Sequence, residues 1–157
     1  MAARFLQLLD EVQLDMESLS DGVQKYCRTW YLLDQLYRKF IYHVQQSGMP
    51  TLTGTLGELV ENQYTNNYLL KLNDRWQQHI DNLTSWDATP VIRQDKFYDR
   101  WVMPFVKKEN KVCVIISDAM RYEIGDELVS LIRQEDRYSA ELEPAISMLP
   151  SYTQLGM

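Results

Sequence analysis

The chain opens on apolar residues at helical spacing. Phe5, Leu8, Leu9, Val12, Met16 and Leu19 follow the i, i+3, i+4, i+7 pattern and predict one helix over this stretch. Asp21-Gly22 breaks the run, and Asp21 is placed to cap the next helix. Val23, Tyr26, Cys27, Trp30, Leu33, Tyr37, Phe40, Ile41 and Val44 then form a long apolar stripe. Ser47-Gly48-Met49-Pro50 stops it, with glycine placed for a C-cap and proline just beyond. A third run carries Leu56, Leu59, Val60, Tyr64, Tyr68, Leu69, Leu72, Trp76, Ile80 and Leu83, and Thr84 to Pro90 reads as a loop. Ile92, Phe97 and Trp101 predict a shorter helix disturbed at Pro104. Three or four antiparallel helices would bury these stripes against one another.

The pattern changes near Asn110. Val112-Cys113-Val114-Ile115-Ile116 is continuously apolar and β-rich, the signature of a strand buried on both faces of a parallel sheet. Ser117-Asp118 ends it. Ile124, Leu128, Leu131 and Ile132 give helical spacing, with Glu123, Asp126 and Glu127 in the first turns and Arg133 near the end, which suits the macrodipole. Tyr138 to Glu143 is expected as a second strand, followed by Pro144 and a short apolar piece, Ala145 to Leu149. The fold class is therefore mixed. Residues 1–110 form an α-helical bundle, and residues 111–157 form a strand–helix–strand α/β unit.

Composition narrows the class. The 157 residues are 45% hydrophobic and 24% charged, values of a globular domain with a core rather than a disordered tract. Sixteen basic against 22 acidic residues, net −6, argue against a surface built to wrap nucleic acid, although a local basic patch stays open. No apolar run approaches a membrane span, so no membrane partner is expected. Asp10, Glu11, Asp15 and Glu17 exclude a secretory leader in the first twenty residues. Cys27 and Cys113 sit inside apolar patterns and read as buried thiols of a reducing, cytoplasmic setting.

Two places carry candidate chemistry. Asp118 stands where the first predicted strand of the α/β unit runs out, the position at which open α/β sheets gather ligands. It can bind a metal or cap the following helix. Ser151 and Thr153 lie in a loop after the second strand, where a hydroxyl serves as a helix cap or, once its pKa is lowered, as a nucleophile. His43 and His79 lie on the helical part and read as surface or core residues. A receiver-like Mg²⁺ site at Asp118 would need acids at an earlier strand end, and none precedes residue 110 in a strand pattern.

Taken together, "VIISDAMRYE" and "LEPAISMLPSYTQLGM" closely resemble the PglZ family of the alkaline phosphatase superfamily, the phosphatase-like component of BREX and Pgl bacteriophage-defence systems. "YRKFIYHVQQSG" and "LVENQYTNNYL" extend the likeness more loosely upstream. The resemblance implies that residues 111–157 begin an alkaline-phosphatase-like α/β core. It implies that Asp118 is a metal ligand and that Thr153 is both nucleophile and metal contact. Two zinc ions in the complete protein would support phosphoryl-ester hydrolysis through a phosphothreonine. Arg121 and Glu123 belong to the motif; Arg121 can face phosphate or pair with a nearby surface acid. Implied partners are other defence-system subunits, with a phosphorylated or nucleic-acid substrate.

A catalytic zinc wants three protein ligands, and residues 111–157 offer Asp118, Thr153 and no histidine. The full ligand set is absent, so the chain is expected to be an internal fragment that does not catalyse alone. A different reading makes the helical part a protein-interaction module with an inert phosphatase-like site. Tyr26, Trp30 and Tyr37 lie on the apolar stripe and belong to the core, whereas Tyr31 and Tyr42 lie off it as candidates for contact. A double-faced apolar strand with few neighbours leaves open edges, so residues 111–157 are expected to associate, swap or pack poorly.

Overall fold

The structure, a computed structural model, describes residues 1–48, 50–118, 120–149 and 152. It divides into two compact units, Met1–Leu83 and Thr84–Met157. The composition change near Asn110 falls inside the second unit.

The first unit is entirely helical. α1 (Ala2–Glu11) is followed by α2 (Leu19–Lys25), a π-helical segment Tyr26–Trp30 and α3 (Tyr31–Ser47), the last three winding as one continuous helix. Gly48, at φ 61°, ends it in the left-handed conformation expected of a C-cap glycine. α4 (Pro50–Asn62), a second π segment Gln63–Leu69 and α5 (Leu70–Asp81) make another continuous helix. Pro50 thus opens a helix, where its missing N–H costs nothing, instead of merely following one. Phe5, Trp30, Leu33, Phe40, Val60, Tyr64 and Tyr68 are buried together as the core, with Tyr26 and Tyr37 packed against it.

The first apolar run does not stay helical to Leu19. Val12 is extended, and four side chains from later helices claim the loop that follows. Trp30 Nε1 donates to the Gln13 carbonyl at 3.2 Å, and Lys25 Nζ to the Asp15 carbonyl at 2.8 Å. His79 Nε2 lies 3.0 Å from the Met16 carbonyl, and Arg75 pairs with Asp15. Backbone groups that would have bonded within a helix are satisfied across the core, while Leu14 is buried. Ser18, not Asp21, is the N-cap of α2. Its hydroxyl accepts from the Asp21 N–H at 3.1 Å, and the Asp21 carboxylate accepts from the Glu17 N–H at 2.9 Å. Lys25 beside it, 2.8 Å away, holds the Asp21 carboxyl below its ordinary value. Gly22 does not break the chain either. It lies inside α2, where an added Cβ would sit 2.9 Å from Met16 Sδ and 3.3 Å from the Trp76 ring.

The second unit mixes helix with a minimal sheet. β1 (Ile92–Arg93) leads into helical turns over 94–106 that end in α6 (Met103–Val106). A π segment, Tyr98–Val102, stands directly before Pro104, which has no N–H to return to the Arg100 carbonyl. Glu109, at φ 57°, closes the helix. The Glu109 N–H donates to the Val106 carbonyl and the Asn110 N–H to the Phe105 carbonyl, the paired bonds of a Schellman end. α7 (Tyr122–Ile132) follows the expected spacing, and β2 (Ala145–Ile146) pairs with β1 in parallel, Ile92 opposite Ala145 and Arg93 opposite Ile146.

Two predicted strands are corrected. Neither Val112–Ile116 nor Tyr138–Glu143 is a strand, and the parallel ladder lies at residues 92–93 and 145–146. A run apolar on both faces is stable as a strand only with neighbours at its edges and cover on each face. Here residues 111–118 are all exposed, Ile115 at 88% and Ile116 at 71%. Cys113 is accordingly exposed and Cys27 half-buried, against the expectation of two buried thiols. Among the described residues no helix is long and apolar enough to cross a membrane.

Candidate functional site

The candidate site is approached from both sides of α7. On the entering side, the Schellman end at Glu109 redirects the chain into residues 111–118, of which 111–115 share with Phe97, Trp101 and Phe105 a groove of about 390 Å³. Asp118 sits in a turn at the end of this run and is exposed. Arg121 is the N-cap of α7, with φ −85° and ψ 154° and no side-chain capping bond. Its carbonyl accepts the N–H groups of Ile124 and Gly125, each at 3.1 Å. Asp118 is therefore not the N-cap residue of this helix, which lies three residues on.

Within the first turn, Glu123 is completely buried and Arg121 Nε lies 3.1 Å from its Oε1. Arg121 is thus paired with an acid that is buried rather than on the surface. A carboxylate taken wholly out of water needs compensating charge, and the half-exposed guanidinium supplies it at the rim. The pair braces the first turn of α7.

On the leaving side, several contacts hold the return of the chain. Arg133 Nε donates to the Ala140 carbonyl at 2.8 Å, and Trp101 Nε1 to Glu143 Oε2 at 2.9 Å. The β1–β2 ladder holds residues 145–146, and Trp86 Nε1 donates to the Ser147 carbonyl at 2.6 Å. Leu142 comes so close to α7 that a Cβ on Gly125 would lie 3.0 Å from its Cδ1. Thr153 and Ser151 lie outside the described residues, so the structure does not relate Thr153 to Asp118.

The donors present do not make a metal centre. Among the described residues no group of three or more His, Cys, Asp or Glu side chains could hold an ion. His43 is exposed on α3, edge-on to Tyr42, and His79 is engaged with the Met16 carbonyl. Both histidines belong to the first unit and Asp118 to the second. The zinc expectation therefore does not fit the described residues by themselves.

The sequence reading missed a second constellation, in the helical unit. Asp34 is 4% exposed and accepts hydrogen bonds from Tyr64 at 2.6 Å, Tyr26 at 2.7 Å and Tyr68 at 3.2 Å. Tyr68 also donates to the Trp30 carbonyl at 3.2 Å, and Tyr64 stacks on Tyr37 with ring centroids 3.7 Å apart. Burial, and then the Asp34 charge, push the Tyr68 phenol above its ordinary value. These hydroxyls act as donors, tying the 19–47 helix to the 50–81 helix. The missed signal was an acid one helical turn from Trp30, on the same face as the apolar stripe.

Comparison with known proteins adds what the geometry does not. Residues 97–157 match the family described as BREX system PglZ alkaline phosphatase-like domain. Over 140 residues the chain is 37% identical to the alkaline phosphatase-like protein BrxZ of Escherichia coli O9:H4 (strain HS), covering 84% of this chain and 16% of that protein. Over 139 residues it is 36% identical to the alkaline phosphatase-like protein PglZ of Bacillus cereus (strain H3081.97), covering 87% of this chain and 16% of that protein. The chain thus spans a small part of the length of the curated relatives it matches. No solved structure matches it.

Proposed function

Because residues 97–157 belong to the PglZ alkaline phosphatase-like family and the chain is a relative of BrxZ and PglZ over most of its length, we propose that it is part of a phosphatase-like protein of bacteriophage defence. In this reading residues 1–110 are a helical lead-in and residues 111–157 begin the α/β core. Asp118 contributes a metal ligand, and Thr153 is the hydroxyl that attacks a phosphoryl ester. The observation that carries the proposal is that one family match spans both residues.

The described residues bring too few donors together for a metal centre, so the remaining ligands of the proposed site would come from beyond this chain. The 157 residues alone are accordingly proposed not to catalyse. What this chain does supply is position. The Arg121–Glu123 pair braces the first turn of α7, and the contacts at Ala140, Glu143 and Ser147 hold the chain after it leaves that helix.

The test is hydrolysis of an aryl phosphate ester by a full-length protein containing this sequence, with divalent metal supplied. Asp118→Ala and Thr153→Ala are each expected to lower kcat by roughly a thousandfold, with Thr153→Ser retaining part of it. Full activity in Thr153→Ala would overturn the assignment.

One observation favours a second reading, a helical interaction module. Tyr42 is exposed beside His43 on α3, off the buried face, as a contact residue would be. Co-purification with another defence subunit that survives Asp118→Ala and Thr153→Ala but is lost in Tyr42→Ala would support it.

A further inference from the structure

Every residue lining one cleft of about 820 Å³ lies in the first unit, on α1, the loop after it or the 50–81 helix. One wall is the row Gln63, Asn67, Lys71 and Arg75, each four positions from the next. In regular α winding a four-residue step overshoots the turn by about 40°, and such a row slides off one face. Turns of the π segment Gln63–Leu69 hold more than four residues, so the step falls short there and offsets the drift. The row therefore stays in line beside the buried Tyr64 and Tyr68. Asp10 and Gln13 belong to the other wall, Leu6, Leu9 and Leu14 supply apolar lining, and Arg75 reaches Asp15 across the cleft.

The chemistry of this lining selects its ligand. The Asn67 side-chain amide donates to Gln63 Oε1, so Gln63 Nε2 and Asn67 Oδ1 stand side by side as donor and acceptor. An extended residue shows the same pair, one N–H and one C=O along one edge. Lys71 and Asp10 form no hydrogen bond or ion pair with any described residue, so a base and an acid are offered to one ligand. Among the described residues lining the cleft none is aromatic, and a nucleobase or sugar ring finds no face to stack on. Asp10 and Asp15 repel a phosphate backbone. From 63 to 75 the row is about 18 Å long, the reach of about five extended residues.

We infer that this cleft binds an extended segment, about five residues long, of another polypeptide that carries an acidic side chain for Lys71 and a basic one for Asp10. The carboxamides of Gln63 and Asn67 hold its backbone. This stands whether or not Asp118 and Thr153 serve phosphoryl chemistry.

Surface plasmon resonance with immobilised peptides tests it. The probes are valine–threonine peptides of about five residues, each carrying one glutamate and one lysine, in every relative placement. A subset is expected to bind both the purified chain and a full-length protein containing this sequence. Lys71→Glu and Asp10→Lys are each expected to weaken that binding roughly tenfold or more, as is N-methylation of the central peptide amide. The double variant is expected to prefer peptides with glutamate and lysine exchanged. Both residues are exposed, so unchanged far-UV circular dichroism would show that the fold is intact. No binding at millimolar peptide, or binding indifferent to both charge reversals, would overturn the inference. So would binding by the chain but not by the full-length protein, or a preference for a single-stranded oligonucleotide over every peptide.

Discussion

The Tyr64 hydroxyl donates to Asp34 Oδ1 at 2.6 Å, joining two helices thirty positions apart in sequence through a carboxylate that water does not reach. Tyr26 and Tyr68 donate to its other oxygen. Asp34→Ala would remove an acceptor used by three buried or half-buried hydroxyls, and an orphaned buried hydroxyl costs about 1–3 kcal/mol. The expected loss is about 3 kcal/mol, with roughly half of it for Asp34→Asn, which keeps the shape but not the charge. Urea melts followed by far-UV circular dichroism measure it. A change below about 0.5 kcal/mol in Asp34→Ala would show that the network is incidental.

Two phenols make the same region sensitive to base. Burial, and then the Glu61 carboxylate to which its hydroxyl donates, push Tyr37 up from 10.0 to about 12. Tyr68 is pushed up as well, by burial and then by Asp34. Both fold in the protonated form and bind their protons more tightly than the unfolded chain does. Their contribution is complete below pH 10.0 and is lost as pH rises toward 12. Urea midpoints are expected to fall between about pH 10 and about pH 12, and to fall less in a Tyr37→Phe, Tyr68→Phe double variant. Equal slopes in the two proteins would argue that other groups set the alkaline limit.

Two helical glycines separate propensity from packing. Gly57, in α4, has nothing within 4 Å of where a Cβ would stand, so Gly57→Ala is expected to stabilise by about 0.5–1 kcal/mol. Gly22, in α2, would press a Cβ to 2.9 Å from Met16 Sδ and 3.3 Å from Trp76, so Gly22→Ala is expected to destabilise by about 1–3 kcal/mol. Thermal melts of the two variants moving in the same direction would refute the close approach at Gly22.

At the candidate site, Glu123 is buried while its partner Arg121 is half exposed. Arg121→Ala leaves a carboxylate in the interior and is expected to cost about 1–2 kcal/mol, a value reduced by solvent at the guanidinium. Arg121→Ala combined with Glu123→Leu is expected to recover part of that loss, since no buried charge then lacks its counterion. Hydrogen exchange of the α7 amides reports it locally. Simple additivity of the two substitutions would mean that the residues do not depend on each other.

The helices were legible in sequence because each stripe buries against a neighbour within the same 83 residues, so local periodicity and tertiary packing agree. The first run misled at Val12, where long-range demands for the Gln13, Asp15 and Met16 carbonyls defeated a correct local pattern. Val112–Ile116 misled for the opposite reason. Strand chemistry is realised only with partners, and hydrophobic pattern says nothing of whether they are present. Asp118 was singled out as the end of a strand that does not form, and the burial of Glu123 was not legible, because a lone acid in a first turn reads equally well as a dipole partner.

The two π segments of the first unit give its long helices an arithmetic of their own. A π turn holds one residue more than the α winding around it, and both turns fall where Tyr26, Trp30, Tyr64 and Tyr68 gather about Asp34. Forcing the extra residue into regular α winding would swing everything downstream by about 100° relative to everything upstream, and the wide turn absorbs that rotation locally. Deleting the residue would leave the distant phases nearly as they are and remove the local widening at which these side chains meet. The spacing between Tyr26 and Asp34, and between Tyr64 and Trp76, is thus as much a part of what this sequence encodes as the residues themselves.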